Sequence, residues 1–155
     1  MQFYIISMTA ENAHMIAAWH YTMPYDFYDM ASDPEDLAEF LDPQSWPESC
    51  YAVHDERDAL VGFFNYRRVD VGEVEIGLGL CPDLTGQRLG LVFVQAGVAF
   101  AHTHFSATRI GLRVATFNTR AIRVYEQAGF VSLDTYMQRT NGAEYPFLRM
   151  VRHVP

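Results

Sequence analysis

The sequence predicts one α/β domain: a mixed, mostly antiparallel sheet with helices on both faces. Three observations carry this. Segments of period two alternate with segments of helical period along the chain. Their order is strand, two helices, three strands, helix, strand, helix, two strands. The length, 155 residues, half of them hydrophobic, suits a single core, since domains commonly run about 100–150 residues and one this size buries about 68–70% of its unfolded surface.

The elements follow in order. Gln2 to Met8 is short and β-rich, an opening strand. Thr9 is placed to cap a helix over Ala10 to Trp19 that turns Met15, Ile16, Ala18 and Trp19 inward. Tyr21 to Met30 fits neither period and contains Pro24, so it reads as a loop. Asp33 then caps a short helix that opens on Pro34 and carries Leu37, Phe40 and Leu41. Ser49–His54 and Ala59–Val69 flank the charged turn Asp55–Asp58 and read as a hairpin. Glu73–Leu80 is a further strand with Val74, Ile76, Leu78 and Leu80 on one face; Glu73, Glu75, Gly77 and Gly79 are on the other. A helix from about Gln87 to His104 is apolar nearly all round, which predicts deep packing. Arg109–Ala115 reads as a strand and Thr119–Gln127 as a helix stopped by Gly129. Two last strands, near Phe130–Arg139 and Tyr145–His153, join through Asn141–Gly142, a hairpin turn pair.

Composition removes several function classes. A chain that is 14% aromatic is not disordered. Cys50 and Cys81 are the only cysteines and lie outside any C-x-x-C pattern, so no disulfide framework is expected. Eleven basic against nineteen acidic residues give a formal charge of −8, which repels a nucleic-acid backbone and attracts an amine; solubility explains the acidity equally well. The first fourteen residues lack the basic and apolar regions of a signal peptide. The longest apolar helical stretch, Leu89–Ala101, falls short of the ~20 residues a membrane span needs, so a cytoplasmic setting is expected.

Chemistry concentrates between Glu73 and Phe130. The segment CPDLTGQRLG leads from a strand into the apolar helix, where exposed N–H groups and the helix dipole suit a pyrophosphate. It is neither a Walker A loop nor a G-x-G-x-x-G fingerprint, and an ordinary strand-to-helix turn is the plainer reading. Downstream, NTRAIRVYEQAGF (Asn118 to Phe130) is a capped helix with a tyrosine on it and a Gly-Phe stop. The pattern N-x-x-A-x-x-x-Y-E-x-x-G-F resembles the end of the GNAT-type N-acetyltransferase core, and LCPDLTGQRLG resembles that family's pyrophosphate loop, Q/R-x-x-G-x-G/A.

The resemblance implies acetyl-CoA as cofactor, its pantetheine arm inserted where two parallel strands part. It assigns cofactor binding to Leu78, Gly79 and Leu80 and to the loop Thr85, Gly86, Gln87, Arg88, Leu89 and Gly90, with Asn118 hydrogen-bonding the arm. Tyr125 falls at the family's general-acid position, which protonates the departing thiolate. Glu75 and Glu73 share the strand face where family members often place a carboxylate to take the amine proton, directly or through water. Two residues depart from the loop pattern: Thr85 stands where Gln or Arg is usual, and Arg88 where the first glycine is usual. An arginine there can keep right-handed helical geometry and turn its guanidinium to the diphosphate or outward.

Each candidate has a plainer reading: core packing for Tyr125, a helix cap for Asn118, a solvated strand face for the two glutamates. The six histidines form no ligand pattern, since His102 and His104 point to different faces, so no metal is expected. Cys81 reads as a packed small apolar residue. Trp19, Tyr21, Tyr25, Phe27 and Tyr28 interleave with Asp26 and Asp29. In GNAT-like folds this connection commonly lines the acceptor pocket, where aromatic and acidic groups suit a cationic amine; an aromatic surface loop or a dimer contact is the other reading.

The expectation is acetyl transfer to a primary amine by direct attack in a ternary complex, with a strand N–H near Leu78–Leu80 stabilising the oxyanion. A non-catalytic acyl-CoA-binding sensor or docking module is the competing expectation. A ribosomal protein N-terminus, a polyamine, an aminoglycoside, an amino acid and a small amine all fit as acceptor, and a homodimer is the favoured assembly.

Overall fold

The structure, a computed structural model, describes residues 1–46 and 49–155. Its elements in chain order are β1 (Tyr4–Ser7), α1 (Ala10–Ala17), α2 (Pro34–Leu41), β2 (Cys50–His54), β3 (Leu60–Asp70), β4 (Glu73–Leu80), α3 (Gly90–Phe105), β5 (Arg109–Ala115), α4 (Thr119–Gln127), β6 (Val131–Thr140) and β7 (Ala143–His153). The strands hydrogen-bond in the order β1-β2-β3-β4-β5-β7-β6. The α/β class and the mixed, mostly antiparallel sheet are thus as expected, with β4 and β5 a parallel pair. No helix among the described residues is long and apolar enough to cross a membrane.

The chain forms two compact units: Met1–Asn65, Leu78–Thr85 and Arg139–Glu144 in the first; Tyr66–Gly77, Gly86–Gln138 and Tyr145–Pro155 in the second. In the first, β1 and β2 pair antiparallel from Tyr4↔His54 to Ser7↔Tyr51, and β2 continues onto β3. Thr9 caps α1 by accepting from the Asn12 N–H, as its position predicts. The helix stops at Ala17, two residues early, and Trp19 turns into the core. That core gathers Met8, Ala13, Ile16, Cys50 and Ala52, with Trp19, Phe40, Trp46 and Phe63 packed on it.

The second unit is built on α3, α4 and the strands around β5. Val74, Phe93, Val98, Ile110, Leu112, Val114 and Phe130 are buried. Tyr66 is buried as well, and its hydroxyl donates to the Gly97 carbonyl at 2.7 Å. Two expectations for α3 need correction. The helix starts at Gly90 instead of Gln87, because Gly86 and Arg88 take left-handed φ values of +76° and +61°, which a right-handed helix cannot contain. Nor is it packed all round: Phe93, Val94, Gly97, Val98 and Ala101 form one buried face, while Val92 is 45% exposed. Helix α4 spans the residues its pattern predicts. Its end is a Schellman stop, with Phe130 N–H on the Tyr125 carbonyl, Gly129 N–H on the Glu126 carbonyl, and Gly129 at φ +93°.

Both cysteines are free. Burial pushes the Cys50 thiol up to about 11 and raises that of Cys81 too.

Candidate active site

The parallel ladder pairs Glu73, Val74 and Glu75 with Arg109, Ile110 and Gly111, and ends there. Both strands run on, β4 to Leu80 and β5 to Ala115, the latter still paired with β7 at Ala115↔Phe147. Leu78–Leu80 therefore form the run of β4 beyond the ladder. Gly79 is required by its neighbour: a Cβ there would lie 2.3 Å from Cε1 of Phe63. The carbonyl of Leu80 accepts the Tyr21 hydroxyl at 2.7 Å, and the next N–H, of Cys81, donates to Val61 at 2.7 Å.

After β4, a short 3₁₀ turn at Pro82–Leu84 leads into the loop. Thr85 closes that turn, its N–H and its hydroxyl both donating to the Pro82 carbonyl. A Cβ on Gly86 would meet nothing within 4 Å. Arg88 is exposed and, contrary to the right-handed geometry expected of it, occupies the left-handed region that glycine favours, at a cost of roughly 1–2 kcal/mol. Gln87 is exposed beside it, and Leu89 precedes the helix in right-handed geometry. Leu89 has no polar side-chain atom with which to cap the first turn of α3, whose leading N–H groups face the loop side. Gly90 lies against α4: a Cβ there would meet the Val124 methyls at 3.4 and 3.5 Å, ordinary contact distances.

On α4, Asn118 Oδ1 accepts from the Ala121 N–H at 3.2 Å, so the residue is a true N-cap. Tyr125, half-buried, sets its ring edge-on to Phe130 with centroids 6.1 Å apart. Seven residues, about two turns, separate Asn118 from Tyr125, which puts them on one side of the helix.

The carboxylates on β4 are engaged. Glu75 Oε1 accepts from Nε and Nη2 of Arg113, and Oε2 faces Nη2 of Arg67 at 3.3 Å. Glu73 pairs with Arg109 at 3.6 Å. With both oxygens held by guanidinium groups, Glu75 has the setting of a counter-ion.

The aromatic segment is more ordered than its irregular pattern suggests. It folds into two 3₁₀ turns, Tyr25–Tyr28 and Met30–Ser32. Trp19 belongs to the core and Tyr21 to the Leu80 anchor. Tyr25, Asp26 and Phe27 are half-buried, and Tyr28 stands edge-on to Phe27 at 5.2 Å. Asp29 holds the entry, accepting from the Tyr21 N–H at 2.9 Å and facing the His20 ring. Sequence reasoning missed the residues that hold the exit. Asp33 caps α2 through Oδ1, while its Oδ2 accepts from the Asn141 N–H at 3.1 Å and the Thr140 hydroxyl at 3.4 Å. These donors, Asn141 first, hold the Asp33 carboxyl below its ordinary range. Its grip is therefore complete through neutral pH and is lost only as the pH falls through that lowered value. The single signal was an Asp at the cap and an Asn at the turn, each explained locally.

A short parallel pair in a mixed seven-stranded sheet, with a left-handed turn feeding a long helix, defines the class of α/β domain to which the chain belongs. The chain belongs to the GNAT acetyltransferase family: the model of the acetyltransferase (GNAT) domain matches residues 4–131. Over 99 residues, 59% of this chain, it is 32% identical to mycothiol acetyltransferase of Propionibacterium freudenreichii subsp. shermanii; that stretch is 31% of the relative, so the chain spans about a third of its length. Among solved structures, spermidine N-acetyltransferase from Vibrio cholerae in complex with CoA and spermine shares the fold with a TM-score of 0.78 and 17% identity, covering 98% of this chain and 95% of that one. A putative phosphinothricin N-acetyltransferase does so with a TM-score of 0.75 and 15% identity, covering 99% of both.

Proposed function

We propose that the protein transfers the acetyl group of acetyl-CoA to a primary amine of a cationic acceptor by direct attack. The observation that carries the reading is the Gly86–Gly90 loop: a left-handed turn, open where a Cβ would stand on Gly86, running into the N-terminus of a sixteen-residue helix. Those are the requirements of a diphosphate site, and Arg88 adds a positive charge beside it, so the residues present fit CoA.

When bound, acetyl-CoA supplies an acetyl group activated as a thioester. Backbone N–H groups of Leu78–Leu80, on the part of β4 past its ladder, would orient the thioester carbonyl and stabilise the negative charge that grows on its oxygen. Asn118 would hold the pantetheine arm with the amide nitrogen that its capping role leaves over. Tyr125 would donate a hydrogen bond to the departing sulfur. For the amine proton, the arginine-held setting of Glu75 favours water as the acceptor, with Glu75 fixing the strand geometry.

Charge distribution supports a cationic acceptor. From Met1 to Glu56 there are eleven acidic residues and no lysine or arginine, and all eleven arginines lie beyond. The proposed acceptor segment around Asp26 lies in this acidic part, and the spermine bound by the Vibrio cholerae neighbour is an amine of that kind. The test is CoA release, followed as free thiol, with polyamines, aminoglycosides, amino acids and an N-terminal peptide. A saturable rate with one class is expected. Tight acetyl-CoA binding with no release from any of them would instead make this a non-catalytic acyl-CoA-binding module.

Two variants sharpen the reading. Arg88→Gly should move stability and affinity in opposite directions: about 1 kcal/mol more stable through relieved strain, yet about tenfold weaker for acetyl-CoA through the lost cation. Calorimetry and thermal melts read both, and unchanged affinity would detach Arg88 from the cofactor. Glu75→Gln should cost about 1–2 kcal/mol of stability while the rate stays within a few-fold and the acidic limb of its pH profile is kept. A loss of about 10²–10⁴-fold with that limb flattened would make Glu75 the base.

A further inference from the structure

The aromatic segment that this reading assigns to the acceptor is held from a place far along the chain. Its entry is anchored by the Tyr21 hydroxyl on the Leu80 carbonyl and the Tyr21 N–H on Asp29. Its middle and exit are anchored by the tip of the β6–β7 hairpin, more than a hundred residues downstream. Asn141 donates twice: its side-chain amide to the Phe27 carbonyl at 2.8 Å and its backbone N–H to Asp33 at 3.1 Å. Its own carbonyl oxygen Oδ1 accepts from the Thr140 hydroxyl, which also faces Asp33. The tip, residues 139–144, groups with the unit that contains this segment, whereas the rest of β6 and β7 groups with the other.

Asn141 answers two demands at once. Its φ of +51° sits in the left-handed region, where asparagine is tolerated and most side chains are not. The turn alone would accept glycine equally well, and Gly142 beside it already has φ +78°. The remaining reason for a side chain is the bond to Phe27, which lies between Asp26 and Tyr28 in the first 3₁₀ turn.

The geometry points to the Thr140–Asn141 tip as the element that sets the conformation of the acceptor segment, with Asn141 a positioning residue for amine selectivity. The inference rests on the acetyltransferase reading above and deepens it. Asn141 touches the segment's backbone, and through Phe27 and Asp33 it fixes how Tyr25, Asp26 and Tyr28 are presented. Loosening the tip should raise the amine's KM and flatten discrimination between amines, with the cofactor side unaffected.

Asn141→Gly tests this, because glycine keeps the turn and deletes only the side-chain bonds. The expected result is a rise of about five- to twentyfold in KM for the best amine, with acetyl-CoA KM and saturated kcat within twofold and faster hydrogen exchange at amides 25–33. Asn141→Asp, which also tolerates left-handed geometry but opposes a carboxylate to the Phe27 carbonyl, should raise it further. A purely structural turn would show the same melting behaviour without the KM split. Unchanged amine KM in both variants of an active enzyme overturns the inference, as does unchanged exchange in the segment. A parent protein that releases no CoA with any amine defeats the acetyltransferase reading instead, and the exchange measurement still decides the anchoring.

Discussion

Tyr125→Phe should keep the fold and acetyl-CoA binding while the maximal rate falls at least tenfold. The departing thiolate resembles an alkyl thiol, with a reference pKa of about 8.5 against about 10 for tyrosine. Full proton transfer is thus uphill, yet a phenol hydrogen bond still stabilises the charge that grows on sulfur. It does so most in the transition state, so its loss belongs in kcat and hardly in affinity. Two contacts of Tyr125 do not depend on its hydroxyl. The Tyr125 ring packs edge-on to Phe130, and its backbone carbonyl closes the Schellman stop of α4; both survive the substitution. Single-turnover rates, calorimetric titration with acetyl-CoA and a thermal melt separate the three quantities. An enzyme within twofold of the parent on its best acceptor would reduce Tyr125 to packing.

The largest effect on stability is expected at Gly79. An alanine methyl there would overlap Cε1 of Phe63 at 2.3 Å and Cζ at 2.8 Å, so the ring must move. Phe63 cannot swing freely, because it packs on the core of the first unit and against Phe40, 6.0 Å between centroids. Overpacking of this kind costs about 1–3 kcal/mol, which for a chain of this length is about 2–4 °C of melting temperature per kcal/mol. Combining Gly79→Ala with Phe63→Leu should recover part of the loss, a coupling that urea titration of the four variants measures. Additive losses in that cycle would show that the clash is not what makes glycine necessary.

Strand and helix positions were legible wherever periodicity and capping agreed. β4 and α4 match the sequence reading to the residue, the first through strict alternation, the second through Asn118 and the Gly-Phe stop. The start of α3 was misplaced because left-handed φ at an arginine leaves no mark in a pattern of apolar residues. The same blindness hid the cost that Arg88 carries. The family motifs placed the loop and Tyr125, but the partners of Glu75 lie on β3 and β5, 8 and 38 residues away. A glutamate on an alternating strand looks open until those arginines are set beside it. Asp33 and Asn141 were each recognised for a local task, capping and turning. Their joint task depends on a contact across 108 residues, which no window of the sequence contains.

The raised thiols of Cys50 and Cys81 bear on how such an enzyme coexists with a reactive ester. Any ionised thiol can exchange with a thioester and carry off its acyl group, so an accessible thiolate would be modified by the very compound the proposed reaction uses. With its acidity weakened to about 11, Cys50 is ionised in about one molecule in ten thousand at neutral pH. Burial pushes Cys81, at the end of β4, in the same direction. Both thiols are therefore expected to resist acylation and to react slowly with aromatic disulfide reagents, which titration of the free protein with such a reagent measures. In a CoA-release assay the protein's own thiols should therefore add only a small and slowly rising background.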